Sequence, residues 1–162
     1  MKADLILPSK DRNYCAFVIV KGMKRGIPLM TEKGFRDEKW KLFGGRPKEI
    51  DKENGVLRPE YTAMRKVTEE GGIFVFPLEK PFLVIPKINS KREPYDFIVF
   101  TGEYSHGILR PAGVEVKNVK EFSLDEIEEM LKRNKIVRDH DRALSRYIEI
   151  LKTNESFIKA FT

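Results

Sequence analysis

Arg65-Lys66-Val67-Thr68-Glu69-Glu70-Gly71-Gly72-Ile73 is the stretch that decides the fold. It reads as the end of a helix that starts near Pro59, whose fixed φ suits a first turn, and stops at the glycine pair. Ala63 and Val67 share one face with Met64 beside them, so that face packs on a sheet while Arg65, Lys66, Glu69 and Glu70 point elsewhere. Two adjacent carboxylates thus stand at the C-terminal end, where the macrodipole opposes each by about 0.3–1 kcal/mol. A divalent cation would reverse that penalty, which makes the pair a metal-site candidate. The plainer reading is an exposed helix with Arg65–Glu69 and Lys66–Glu70 pairs. Both run base-to-acid, the weaker order, worth at most about 0.3 kcal/mol each.

Upstream, Trp40-Lys41-Leu42-Phe43 alternates like a short strand, and Gly44-Gly45 ends it with unobstructed backbone. Carbonyls of such a loop and carboxylates of a following helix can converge on one hard cation. Mg²⁺ takes such oxygen ligands and keeps waters and substrate phosphates in its shell.

These residues resemble the Nudix (MutT-like) hydrolases, whose motif reads G-x5-E-x7-R-E-U-x-E-E-x-G-U, with U a bulky aliphatic. Arg65, Val67, Glu69, Glu70, Gly72 and Ile73 match its second half, and 40–45 looks like the family's W-x-(L/F)-P-G-G approach with Phe43 in place of proline. The Nudix-box region spans 44–73. The resemblance implies an α/β/α sandwich with a mixed central sheet. It also implies a hydrolase that cleaves the diphosphate linkage of a nucleoside diphosphate derivative, with Mg²⁺, or Mn²⁺ as substitute. Glu69, Glu70 and the Gly44 carbonyl would hold the metal, and Arg65 would orient Glu69. Lys41, Arg46 and Lys48 flank the glycines, placed to meet phosphate oxygens.

The chain departs from the pattern at two positions. Lys66 stands where the family has Glu, and can contact a phosphate or pair with Glu70. The earlier Glu, eight before the Arg, falls on Leu57, and the segment between Gly45 and Pro59 is longer than the family spacing. Glu49 or Glu53 in that insert is expected to supply the missing carboxylate. Glu115, in the loop before 119–122, is the first choice for general base, and Glu103 the second. The departures also support a rival reading, a Nudix-like domain that binds a nucleotide or RNA end without turning it over.

Composition sets the remaining bounds. A chain of 162 residues reads as one domain, 1–162, able to bury roughly 70% of its unfolded surface. The net charge of +6 favours an anionic partner, although acids and bases are interspersed. One cysteine excludes an internal disulfide and a four-cysteine zinc site, and no apolar run is long enough to cross a bilayer. A cytoplasmic protein is expected, and relatives of this kind are often homodimers. Cys15 and Tyr14 fall in the apolar run 14–20, expected to be a core strand. Tyr14, Phe35, Tyr95 and Tyr104 are candidates to stack on a base.

Further strands are expected at 27–30, 82–85, 96–101 and 119–122, with a turn at 89–94. Ser123-Leu124-Asp125-Glu126 is a capping box opening a helix. A last helix is expected over 137–151, with 153–162 a frayed tail packing loosely through Phe157 and Phe161. His106 and His140 lack a third ligand for zinc.

Overall fold

The central strand is apolar on both faces because both faces are covered. In the computed structural model, which describes residues 13–160, β1 (Asn13–Lys21) pairs in parallel with β7 (Pro94–Gly107) and antiparallel with β3 (Phe43–Gly45). With β6 (Ile73–Ile88) on the far edge, the order is β3-β1-β7-β6, a mixed sheet. Alternation divides its side chains between two cores. Ala16, Val18, Val20, Ile98 and Phe100 face α1 (Pro59–Gly71), meeting Ala63 and Val67. Phe17, Ile19, Phe97 and Val99 face the other way, toward α2 (Leu124–Lys132) and α3 (His140–Ala160). The result is the expected α/β/α sandwich. A second antiparallel pair, β2 (Ile27–Glu32) with β8 (Val116–Phe122), closes one side, and a small hairpin joins β4 (Lys52–Glu53) to β5 (Val56–Leu57).

Several elements follow directly from local chemistry. Pro59 opens α1, and Gly72 closes it in the left-handed region at φ 72°, its N–H reaching the Thr68 carbonyl. Ser123 caps α2 in both directions: Glu126 N–H donates to Ser123 Oγ at 3.1 Å and Ser123 N–H donates to Glu126 Oε1 at 3.0 Å.

Three boundaries differ from expectation. Residues 40–43 are not the strand proper: Lys41 bridges Met30, Trp40 bridges Ile136, and the ladder with β1 begins at Phe43 and includes both glycines. Gly44 must be glycine there, because at φ 150° a Cβ would lie 2.2 Å from the Ala16 carbonyl oxygen. β6 starts at Ile73, well before 82, and is broken by register shifts between Phe74 and Leu83. Its prolines are tolerated because it is an edge strand. Finally, α3 starts at His140 rather than 137 and runs on to Ala160 rather than fraying at 153. The expected packing of Phe157 and Phe161 lies outside the side chains described.

His140 ties α3 to the strand that leads into the site. It is buried, and its Nδ1 accepts the Leu42 N–H at 3.1 Å. The rings of Phe17 and Phe97 meet it edge-on, 4.6 and 5.2 Å between centroids. Burial, with Lys41 adding repulsion, pushes the imidazole down to about 3. The folded value lies below the unfolded one, so the stability it contributes is complete above about pH 6.5 and lost as pH falls toward 3. Between pH 6 and pH 4 the loss is expected to approach about 1.4 kcal/mol per pH unit. Urea unfolding at pH 7, 6 and 5 should show this slope in the wild type and a shallower one in His140→Gln. Equal slopes would reject the assignment.

Candidate active site

The C-terminal turn of α1 lies against β3, and this contact brings the two carboxylates to the glycines. Glu70 is buried, 9% exposed, and its Oε1 accepts the Gly44 N–H at 2.9 Å. Lys66 Nζ stands 3.7 Å from its other oxygen. Burial pushes the Glu70 carboxyl above its ordinary value, against the pull of the Gly44 N–H, Lys66 and Lys41. Glu69 is more open and is held by Arg65 Nη1 at 2.9 Å.

Arg65 is gripped by a residue that the sequence reading passed over. Its Nε donates to Asp51 Oδ1 at 2.8 Å and its Nη2 to Asp51 Oδ2 at 2.9 Å, with a further bond of 3.1 Å to the Arg46 carbonyl. Asp51 is 1% exposed and also accepts from Thr62 Oγ1 at 2.8 Å and the Lys48 N–H at 2.9 Å. Tyr14 completes the chain at 2.7 Å from Thr62 Oγ1, so it is a core residue rather than a stacking face. Counted forward from Gly45, five residues intervene before Asp51, which is the family's G-x5-E spacing with Asp for Glu. The expectation of Glu49 or Glu53 is therefore corrected. Glu49 pairs with Lys52 at 2.8 Å, and Glu53 binds the Tyr61 hydroxyl. The hairpin at 52–57 shifts the count taken backward from Arg65, and Asn54-Gly55 was the signal that could have revealed it.

Glu115 lies exposed in the turn before β8, its carbonyl accepting the Lys33 N–H at 2.8 Å. The loop leading to it is sewn onto the end of α1: Arg110 N–H donates to the Gly71 carbonyl and Ala112 N–H to the Glu70 carbonyl, each at 3.0 Å. Glu103 pairs with Lys21 at 3.7 Å. Lys41 pairs with Glu32 at 2.6 Å, whereas Arg46 and Lys48 are exposed. Beyond Glu32 and Lys41 opens a cleft of about 510 Å³, lined also by Phe35, Arg36, Lys39 and Arg138. Phe35 is 66% exposed. Cys15 is half-buried, its thiol pushed up by burial, and His106 stacks on Phe74 at 4.5 Å on the surface.

Among the described residues no three His, Cys, Asp or Glu side chains converge as a metal cage. Mg²⁺ does not need one, since it is commonly bound by one or two carboxylates with water and substrate phosphates supplying the rest. A partly desolvated carboxylate pair at the negative end of a helix suits that cation chemically. Among the described residues no helix is long and apolar enough to cross a membrane.

A family model described as NUDIX domain matches residues 11–147 of the chain. Solved structures share its fold at low identity. A NUDIX hydrolase from Nitrosomonas europaea superimposes with a TM-score of 0.66 at 15% identity, over 86% of this chain and 90% of that one. A MutT NUDIX hydrolase from Burkholderia pseudomallei gives 0.63 at 17%, over 84% and 98%. The NUDIX domain of Shewanella oneidensis NrtR, solved as a complex with ADP ribose, gives 0.65 at 18%, over 90% of each chain. No curated protein sequence matches the chain.

Proposed function

This chain belongs to the NUDIX family, and from that premise we propose that it hydrolyses the diphosphate linkage of a nucleoside diphosphate derivative. The observation that carries the reading is the buried Glu70 beside Glu69 at the carbonyl end of α1, facing Gly44. The helix dipole opposes two acids there, and a cation between them would turn that penalty into a gain.

A divalent cation held by Glu69, Glu70 and the Gly44 carbonyl would neutralise phosphate charge and lower the pKa of a bound water. The protein's own groups do the rest. Arg65, fixed by Asp51, holds Glu69 in place and touches no substrate. Glu115 takes the proton from the attacking water, carried toward the end of α1 by the loop bonded to Gly71 and Glu70. Lys41, Arg46, Lys48 and Lys66 meet phosphate oxygens, and the cleft at Phe35 accepts the remainder of the substrate. The ADP ribose bound by the NrtR domain makes nucleotide derivatives the first class to try. The reading treats 1–162 as a single cytoplasmic domain, with a homodimer compatible with it.

The second reading, a nucleotide or RNA-end binder without turnover, is favoured by one observation, the Lys66 ammonium beside Glu70. The deciding experiment is phosphate release through a coupled pyrophosphatase or phosphatase from nucleoside triphosphates, nucleotide sugars including ADP-ribose, dinucleoside polyphosphates and 5′-triphosphorylated RNA, with and without Mg²⁺ or Mn²⁺. Metal-dependent turnover of any of them supports the hydrolase. Metal-dependent binding with no turnover across the panel transfers the conclusion to the binder.

A further inference from the structure

Lys66 sits where its charge decides what can approach Glu70. Its side chain crosses Gly45 so closely that a Cβ there would stand 2.8 Å from Lys66 Cε and 3.4 Å from Nζ. The ammonium lies 3.7 Å from Glu70 Oε2, with the two side chains 23% and 12% exposed. On the other side, Glu69 is already bound to Arg65, and Lys41 is committed to Glu32. Each carboxylate of the pair therefore has a base of its own. A Glu at 66, as the family pattern has it, would change the local charge by two units.

We propose that Lys66 is the resident counter-ion of Glu70, and that a divalent cation settles on the Glu69–Glu70 pair only together with a substrate's phosphates. The inference rests on the metal site of the proposed function, but not on turnover. An ammonium 3.7 Å from a Glu70 oxygen repels a dication arriving at that carboxylate in a partly desolvated site. A diphosphate removes that obstacle in two ways. Its oxygens add ligands for the cation, and they give the ammonium an acceptor to exchange for Glu70. The four-carbon stem of lysine allows the exchange, and Gly45 presents no side chain in its path. Free protein should thus bind metal poorly, and metal and nucleotide should bind with positive coupling.

The test is a Mn²⁺ titration of the full chain followed by the electron paramagnetic resonance of free Mn²⁺, alone and with α,β-methylene-ADP. Lys66→Met removes the charge and keeps the stem; Lys66→Arg keeps the charge. Lys66→Met is expected to bind Mn²⁺ alone at least about tenfold more tightly than wild type, while Lys66→Arg gains nothing. The analogue should tighten Mn²⁺ binding to wild type more than to Lys66→Met. Thermal unfolding verifies that each variant is folded, and Lys66→Gln replaces Lys66→Met if that one is not. Equal Mn²⁺ affinity in wild type and the charge-removed variant overturns the proposal, as does tight binding by wild type that ignores the analogue. So does the absence of binding in every variant. A chain that binds as expected but turns over nothing would sink the hydrolase reading and leave this one standing.

Discussion

Glu70→Gln is expected to lower metal-dependent turnover by about 10²–10⁴-fold, the scale of losing one group at the reacting centre, while the fold survives. Glutamine has the same shape, and its amide oxygen can still accept the Gly44 N–H now bonded at 2.9 Å to Glu70. Burial already disfavours the charged carboxylate, so a neutral group in that position is no threat to stability. Lys66, 23% exposed at its side chain, can turn to water when its partner loses charge. The melting temperature should therefore hold while activity falls. Glu69→Gln should lose less, because Glu69 is 43% exposed at its side chain and less tightly placed. Steady-state rates at saturating Mg²⁺, beside thermal melts, decide the matter. Undiminished metal-dependent activity in Glu70→Gln would remove Glu70 from the mechanism.

Asp51→Ala should have the largest effect on stability, a loss of about 3–5 kcal/mol, because it strands a mostly buried guanidinium. For a chain of this size that lowers the melting temperature by roughly 10 °C. Every group aimed at Asp51 is a donor: Arg65 twice, Thr62 and the Lys48 N–H. Asp51→Asn is at best a partial remedy, since its amide NH₂ would face the Arg65 or Lys48 donors and only the Thr62 hydroxyl could turn round to accept from it. Burial pushes the Asp51 carboxyl up, but the bonds from Arg65, Lys48 and Thr62 outweigh it and hold it below its ordinary value. Its contribution is then present above about pH 4 and lost as pH falls through the folded value. Denaturant titrations at pH 7 and pH 3 should show the variant's deficit shrink in acid. A deficit that stays constant would mean the carboxylate's charge is not what stabilises the network. Activity should fall too, as Arg65 no longer holds Glu69 square.

The parts of this fold that were legible in the sequence were those whose chemistry is local. The apolar runs in β1 and β7 announce strands covered on both sides, Pro59 and Gly71-Gly72 bracket α1, and Ser123 with Glu126 marks α2. The first half of β6 was hidden because Pro77, Glu79, Lys80 and Pro81 read as loop, and only its edge position makes them acceptable in a strand. The far end of α3 was hidden because Thr153-Asn154-Glu155 carries no apolar stripe. At the site, Glu69, Glu70, Arg65 and the Lys66 pairing were readable from spacing along one helix. Asp51 was not, since an acid fourteen residues before its arginine becomes a partner only through folding of the hairpin between them.

That hairpin begins and ends at one point. The Arg58 N–H donates to the Asp51 carbonyl at 3.0 Å, so residues 52–57 leave and re-enter the fold through a single closed mouth. Only the tip at 54–55, outside the Glu53–Tyr61 bond and the packing of Leu57, can vary in length without disturbing Asp51 or α1, because the entropy of closing the loop grows only slowly with the residues in it. The exposed Asn54-Gly55 tip is therefore a port for foreign sequence: an inserted tag, a fused partner or a new pair of termini can enter there while Asp51 and Arg65 stay joined.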